Sequence, residues 1–532
     1  MSTVVVGSGL AAVGAIKALL AAGVRPVVLD IGRQLPSPLR SLQVGVSVRS
    51  PREWTQAERA AIGSNDSASG RRTPRKLVLG SDYFYSTEQV GQTPENEYSF
   101  GSPPWSPARG GFSVGWGAAV LPPAPGDVAE WPIAHDDILR NMHSVLNDIA
   151  VSEPDDELGS VFGRLSPQGS RVLGLSKGQA MLLERLSKAR ERDGGRTVLV
   201  GQSRLLTDVD TSSPHACRHC GHCSAGCVYG SIYTAEQHID RWVHEGSIDY
   251  RADCTVTSID ESGDAVQIRA EREGKSEVIE ADRLFLAAGA VNSARILLAS
   301  SPRAMESVVI RRTGYFLQIL ASARGLDIAW PETNTQASHF LAFREESLSP
   351  YWAHVQIGQP NELLLGRLGV KHENAGTQVG KAARSVAGRM ISAAMNLHSS
   401  LGPTYEIRLA SRSDSAIGMR PLETRQSWSR ESRTAVNAHA RMLRRVLRGA
   451  GFFAVPFARQ NSNAALTYHF GASFPMRADP NAPNDTDVLG RPYGWSRIHV
   501  VDTSVLPAIP ATTVGLLTMA NAHRIAAQSI SL

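Results

Sequence analysis

The sequence lacks an apolar run fit to cross a bilayer: its longest candidates, Leu10 to Leu29 and Leu284 to Leu298, are broken by Gly, Lys, Arg, Asn or Pro. No leader is expected either. Met1 is followed almost at once by the β-type run Thr3 to Val6, with no basic stretch, separate apolar segment or small-residue cleavage site. The expectation is a cytoplasmic protein with no transmembrane segment. There is no strong excess of either charge, since 55 basic and 50 acidic side chains give +5 and are spread along the chain, so nothing supports nucleic acid binding. Cysteine is scarce, five in 532 residues, and four of the five fall within eleven positions, unlike the dispersed set of a secreted disulfide scaffold. No internal repeat is evident. What is present is length and an apolar share of 42%, enough for more than one core, and a two-domain globular chain is expected.

The first thirty residues read strand, glycine turn, helix, strand: Thr3 to Val6, Gly7-Ser-Gly9-Leu-Ala-Ala12, an alanine-rich helix to Ala22, then Pro26 to Asp30. This is the opening βαβ unit of a dinucleotide-binding sheet. Gly7 permits the tight turn, Gly9 lets the backbone approach a pyrophosphate, and Ala12 keeps helix and strand close. The helix start then offers free N–H groups and its positive dipole end to the phosphates. Asp30 stands where a carboxylate accepts from ribose hydroxyls, and it would repel a 2′-phosphate.

Beyond this unit, Ser47 to Lys76 is polar and aperiodic and reads as a long surface loop or lid. Gly110-Gly111-Phe-Ser113-Val-Gly115-Trp116-Gly117 is too rich in glycine for regular structure and suits close approach to a ligand. Trp131 to Val151 and Ser176 to Arg192 read as helices, Asp249 to Ile259 and Val266 to Ala270 as strands. Asp282 to Gly289 reads as a buried strand leading into a helix at Ser293 to Ala299. From about 301 to 455, short strands such as His354 to Ile357 and Leu363 to Leu365 alternate with loops, as in a separate antiparallel domain closed by a helix at Ser429 to Gly449. Gly376 to Leu397 reads as one helix with a basic face, turned to water or to a membrane surface.

The last hundred residues carry Tyr468-His469-Phe-Gly471, then Val501-Asp502-Thr-Ser504-Val-Leu-Pro507, then a helix from Thr512 or Thr513 to Ala527. A Thr pair before an apolar helix is an N-cap signal, and such a helix start can stabilise negative charge.

With these segments in this order, the chain resembles the glucose-methanol-choline family of FAD oxidoreductases over nearly its whole length. The matching segments are Gly7 to Ala12 with Asp30, Gly110 to Gly117, Leu286-Ala-Ala-Gly289-Ala-Val-Asn-Ser-Ala, His469-Phe-Gly471 and Val501 to Pro507. The resemblance implies an α/β FAD-binding domain of Rossmann type plus an α+β substrate domain with an antiparallel sheet. Residues 1–125, 200–300 and 456–532 would form the first, and 126–199 with 301–455 the second. It further implies that Gly7, Gly9 and Asp30 hold the ADP half of FAD, with Gly110 and Ser113 along the pyrophosphate and flavin. Val256 would contact the adenine, Ala288 and Gly289 would pass close to the cofactor, and Asp502 would touch the ribityl-pyrophosphate region. His469 matches the family's histidine beside flavin N5 and would be the catalytic base. The family's second His or Asn falls, by count from Pro507, at Thr513, which can hydrogen-bond a substrate hydroxyl but cannot act as a base near neutral pH.

Cys217, Cys220, Cys223 and Cys227 have the CxxCxxCxxxC spacing of bacterial ferredoxins, without the proline that should follow, since Val228 stands there. An iron–sulfur cluster (3Fe-4S, or 4Fe-4S with a distant ligand such as Cys254), reduced thiols or a disulfide, and zinc are the alternatives. Some members of the resembled family hold a cluster in such a segment.

The expected activity is oxidation of a small-molecule alcohol with hydride passing to the flavin and the proton to His469, the electrons leaving to oxygen or to an electron-acceptor protein. Two readings from other classes compete: an FAD-containing lyase with no net redox chemistry, and a flavin or iron–sulfur electron-transfer subunit.

Overall fold

The computed structural model describes residues 2–63, 76–86, 88, 96–166, 169–192, 198–300, 305–327, 332–361, 365, 376–411, 418–461 and 468–531. Its organising element is a parallel sheet of five strands in the order Ile498–Val500, Arg283–Leu286, Thr3–Val6, Val27–Leu29, Asp249–Arg251. The strand Thr3–Val6 is buried along its whole length, as a strand covered on both faces must be. The helix Leu10–Ala21 covers one face and is itself covered by the last helix, Val514–Ile530. That second contact explains Gly14: a Cβ there would sit 2.0 Å from the Met519 carbonyl oxygen. Gly14 therefore sets the approach of the two helices, while Ala12, two residues earlier, is fully buried.

A six-stranded antiparallel sheet forms the second core: Phe453–Asn461, Gly314–Ala321, Met390–Leu397, Ala353–Gly358, His339–Phe343 and Val198–Gln202. One face packs through Leu341, Val355 and Met395 on the helices Lys177–Arg192 and Arg430–Gly449. A five-stranded sheet (Phe470–Gly471, Val308–Arg312, Thr404–Leu409, Leu422–Ser427, Tyr98–Phe100) joins the core of the parallel sheet through Ile310, Tyr405 and Phe470. A three-stranded meander, Cys254–Ser262, Ala265–Arg272 and Lys275–Ala281, completes the fold.

Two expectations change. The helix expected over Gly376 to Leu397 ends at Ala387, and Met390–Leu397 is an inner strand hydrogen-bonded on both sides. Its alternating side chains gain two ladders and a buried face, which a half-exposed helix could not offer. The aperiodic stretch after Ser47 holds a short helix, Gln56–Ile62, set by a capping box in which Thr55 and Glu58 satisfy each other's backbone N–H groups. The remainder of that expected lid, 64–75, and most of the strand expected at Leu363 to Leu365 lie outside the described residues. Among the described residues no helix is long and apolar enough to cross a membrane.

Candidate active site

One cavity runs across the carboxyl ends of the parallel strands, where open α/β sheets take their ligands. Its walls include Gly7, Gly9, Asp30, Gly110, Ser113, Val256, Ala288, Gly289 and Asp502, drawn from four distant parts of the chain. Ala12, His469 and Thr513 are not in these walls, although their neighbours Ala11, Tyr468, Phe470 and Val514 are.

Local geometry explains the glycines. Gly7 has φ +100°, and a Cβ would lie 2.5 Å from the Ala287 carbonyl oxygen, so the turn needs glycine both for its backbone and for the neighbouring strand. At Gly9 a Cβ would meet nothing within 4 Å, because the position faces the cavity. Gly9 is also the N-cap of the first helix, and no side chain caps it, so the first N–H groups point at open space. The last helix repeats the arrangement. Thr513 is its N-cap but makes no capping bond; its Oγ1 accepts from the Leu121 N–H at 2.9 Å, and Val514 and Gly515 line the same cavity. Two uncapped helix starts thus open on one space, an arrangement suited to negative charge at two points. The buried Oδ1 of Asn292, also on the wall, has no partner among the described residues.

Asp30 closes one end. Its carboxylate accepts from Ser8 Oγ at 2.5 Å and Tyr250 Oη at 2.8 Å, and burial pushes its pKa up to about 6. Ser8 in turn accepts from the Gly110 N–H at 2.9 Å, tying the first glycine turn to the second. Ser113 donates to the Gly110 carbonyl and accepts from the Ala235 N–H, so its hydroxyl holds the second glycine turn against the helix Ala235–Glu245. Asp502 accepts from Ser293 Oγ and from the Ser504 N–H, and burial raises its pKa.

His469 lies beside the other end. Gly471 lets its segment press against the 502–507 stretch, since a Cβ there would stand 2.2 Å from the Thr503 carbonyl oxygen, and Ala472, Phe474 and Met476 donate N–H groups to Thr503, Ser504 and Val505. The Thr313 N–H reaches the His469 carbonyl at 3.4 Å. The ring keeps some accessible surface although protein surrounds it. Burial and the nearby Arg312 guanidinium push its pKa down to about 4, so it is neutral at pH 7. Beside it Phe112 and Tyr468 stack at 4.6 Å, and Tyr468 Oη donates to Tyr85 Oη at 3.0 Å. This aromatic group is not visible in the sequence, because Tyr468 lies hundreds of residues from Tyr85 and Phe112 and the three share no period.

The cysteines show no metal centre among the described residues. Cys217, Cys220, Cys223, Cys227 and Cys254 are all free thiols, and among the described residues no group of three or more His, Cys, Asp or Glu side chains is arranged to hold a metal ion. Asn334 Nδ2 reaches Cys217 Sγ at 3.7 Å, and the Thr335 N–H reaches Cys223 Sγ at 3.3 Å. Burial raises the pKa values of Cys217 and Cys220, which keeps both protonated. Cys254 is no distant ligand of that loop: its N–H donates to the Asp30 carbonyl, and the residue lines the main cavity.

No family model and no curated protein matches the sequence. Among solved structures the chain is similar to pyridoxine 4-oxidase from Mesorbium loti, with a TM-score of 0.60 over 100% of this chain and 99% of that one at 15% identity. The parallel sheet with its helices, the antiparallel sheet beside it and the cavity between uncapped helix starts together give this chain the fold of the glucose-methanol-choline oxidoreductases.

Proposed function

We propose that the chain is an FAD-dependent oxidoreductase that oxidises a CH–OH group. The observation that carries this reading is one space onto which the Asp30 carboxylate and two uncapped helix starts open, with the neutral His469 standing in the chain between two of its wall residues, Tyr468 and Phe470. The residues present fit FAD. Gly7 and Gly9 give the pyrophosphate a wall without side chains, Asp30 would accept from the ribose hydroxyls, and Val256 would lie along the adenine. The helix start at Val514 would stabilise negative charge at the far end. Bound there, FAD supplies the two-electron acceptor for the carbon-bound hydride.

The chain's own part is proton removal and positioning. A neutral imidazole can accept the hydroxyl proton as the C–H bond is broken, and Arg312 and burial keep His469 in that form at neutral pH. Thr513 spends a lone pair on the Leu121 N–H, which leaves its hydroxyl proton available as a donor but supplies no second base. The four loop cysteines have no part in this reading, and FAD is its one cofactor.

The similarity to pyridoxine 4-oxidase supports an alcohol donor at the level of fold. The visible spectrum of purified protein tests the reading. A flavin spectrum that bleaches without oxygen on adding a primary or secondary alcohol is expected; a flavin that no alcohol bleaches would favour a lyase or an electron-transfer subunit instead.

A further inference from the structure

Three strands of the six-stranded sheet begin or end together at its outer tip. Gly314–Ala321 starts beside Thr313, whose N–H reaches the His469 carbonyl, and runs eight residues, about 25 Å, to Ala321. There it pairs with Met390 and Phe453, the first residues of their own strands. The segment that follows is held by the end of the helix Gln378–Ala387. The Ser322 N–H donates to the Arg389 carbonyl at 2.7 Å, the Leu326 N–H to the Gly388 carbonyl at 2.6 Å, and the Arg389 guanidinium to the Ala323 carbonyl. From the other side Arg185, on the helix Lys177–Arg192, donates to the carbonyls of Arg324 and Gly325 at 3.1 and 3.2 Å. Arg185, Lys188, Arg324, Gly451 and Phe453 line one cavity at this tip.

The helix Gln378–Ala387 lies the wrong way round for one packed for stability. Its buried residues are the small ones, Gly380 and Ala387. Val379 and Val386, seven residues apart and so on one stripe, are 76% and 55% exposed, and Phe453 on the cavity rim is 57% exposed. Exposed apolar side chains scattered singly are ordinary, but here three gather at one end of a sheet among cations. The helix carries Lys381 and Arg384 and no carboxylate, Arg389 follows it, and the cavity adds Arg185, Lys188 and Arg324. The one acid of that cavity wall, Glu184, is paired with Lys188. A surface helix with apolar side chains outward and cations beside them has the make-up of an interfacial anchor. Three side chains are too few for the core of a stable protein–protein interface, whereas a lipid surface admits apolar groups one at a time.

We propose that this tip docks reversibly on an anionic membrane surface. Val379, Val386 and Phe453 enter the boundary between headgroups and acyl chains, while Arg324, Lys381 and Arg389 meet the anionic headgroups. The inference stands apart from the alcohol reading, and neither depends on the other. It orients the protein, because the catalytic segment stands at the opposite end of Gly314–Ala321 from the lipid. With so little apolar surface the attachment is weak and falls as salt screens the cations.

The test uses the FAD-loaded protein and sedimenting vesicles of phosphatidylcholine, with or without about 30% phosphatidylserine. In low salt the wild type should bind the anionic vesicles about tenfold or more tighter than the neutral ones, and NaCl at about 0.5 M should release it. Val379→Ser with Val386→Ser, and separately Arg324→Glu with Lys381→Glu, should each weaken that binding by about tenfold or more. All four side chains are exposed, so flavin content and melting temperature should match the wild type. If a pair does not fold, Val379→Ser and Lys381→Glu alone carry the comparison. A wild type that binds neither vesicle, or both alike, overturns the inference, and so does binding unchanged in either variant pair. A wild-type dimer that the serine pair turns into monomer, seen by sedimentation velocity, overturns it too and gives the surface to a second copy of this chain.

Discussion

Replacing Asp30 with asparagine should move stability and cofactor affinity in opposite directions. In the protein without cofactor, burial raises the Asp30 pKa from 3.8 to about 6, so the folded state holds this proton more tightly than the unfolded chain does. The ionised carboxylate therefore costs stability at any pH above about 6. The cost fades as pH falls through 6 toward 3.8, where the folded and then the unfolded forms take up the proton. At roughly 1.4 kcal/mol per pH unit, the full cost is about 3 kcal/mol. Asparagine removes it and still presents an oxygen to Ser8 and Tyr250, so the cofactor-free variant should melt higher than the wild type at pH 7.5, with the gap narrowing to about 1 kcal/mol, a third of its full size, by pH 4.5. Holding FAD is another matter. Two hydrogen bonds from ribose hydroxyls to a charged acceptor would become bonds to a neutral one, a loss of about 1 to 1.5 kcal/mol each and about 10²-fold in Kd for the pair. Thermal melts of cofactor-free protein between pH 4.5 and 7.5, and FAD titrations followed by flavin fluorescence, measure both quantities. A cofactor-free Asp30→Asn protein less stable than wild type at pH 7.5 would refute the burial argument. Unchanged FAD affinity would remove Asp30 from the ribose.

Gly9→Val should fold but purify without FAD, since its side chain projects only into the cavity, whereas Gly14→Val should fail to fold because its Cβ would occupy the Met519 carbonyl; circular dichroism and flavin content separate the two. His469→Ala should keep the flavin spectrum and slow substrate-dependent reduction by about 10² or more, as seen by anaerobic stopped flow, and equal rates in variant and wild type would exclude it as the base. Wild-type kcat/KM should be level above pH 6 and fall as pH drops through about 4, where the ring protonates. Protein purified without oxygen should give five titratable thiols once denatured and no iron; iron with acid-labile sulfide in near-stoichiometric amounts would restore the cluster alternative for Cys217, Cys220, Cys223 and Cys227.

The βαβ opening, the second glycine turn and the His469 segment were legible because each is a local pattern, in which a few consecutive residues satisfy a turn, a helix start or a close backbone approach. Gly7 carries its positive φ wherever the rest of the chain goes. The elements misread or missed depend on contacts far along the sequence. Met390–Leu397 becomes a strand because two neighbours pair with it, and those neighbours lie some 35 and 75 residues away. Gly14 needs Met519, and His354 meets Asn396 only when their two strands align in register. The ferredoxin-like spacing is a local pattern of another kind: it brings Cys217, Cys223 and Cys227 near Cys220, but among the described residues no group of three or more side chains is arranged to hold a metal ion, and the cluster reading gains no support from the fold.

The parallel sheet draws its three adjoining strands from residues 3–6, 283–286 and 498–500, and the first helix finds its outer cover in the last. During synthesis the opening βαβ unit must therefore wait, with the apolar side of its first helix uncovered, until nearly the whole chain has left the ribosome. Long waits of this kind expose sticky surface and slow the closing of non-local pairings. Once closed, the arrangement works in reverse. Loss of the helix Val514–Ile530 would strip the cover from the first helix, so damage at one end of the fold is felt at the other, and neither half can be cut away as an independently folding piece.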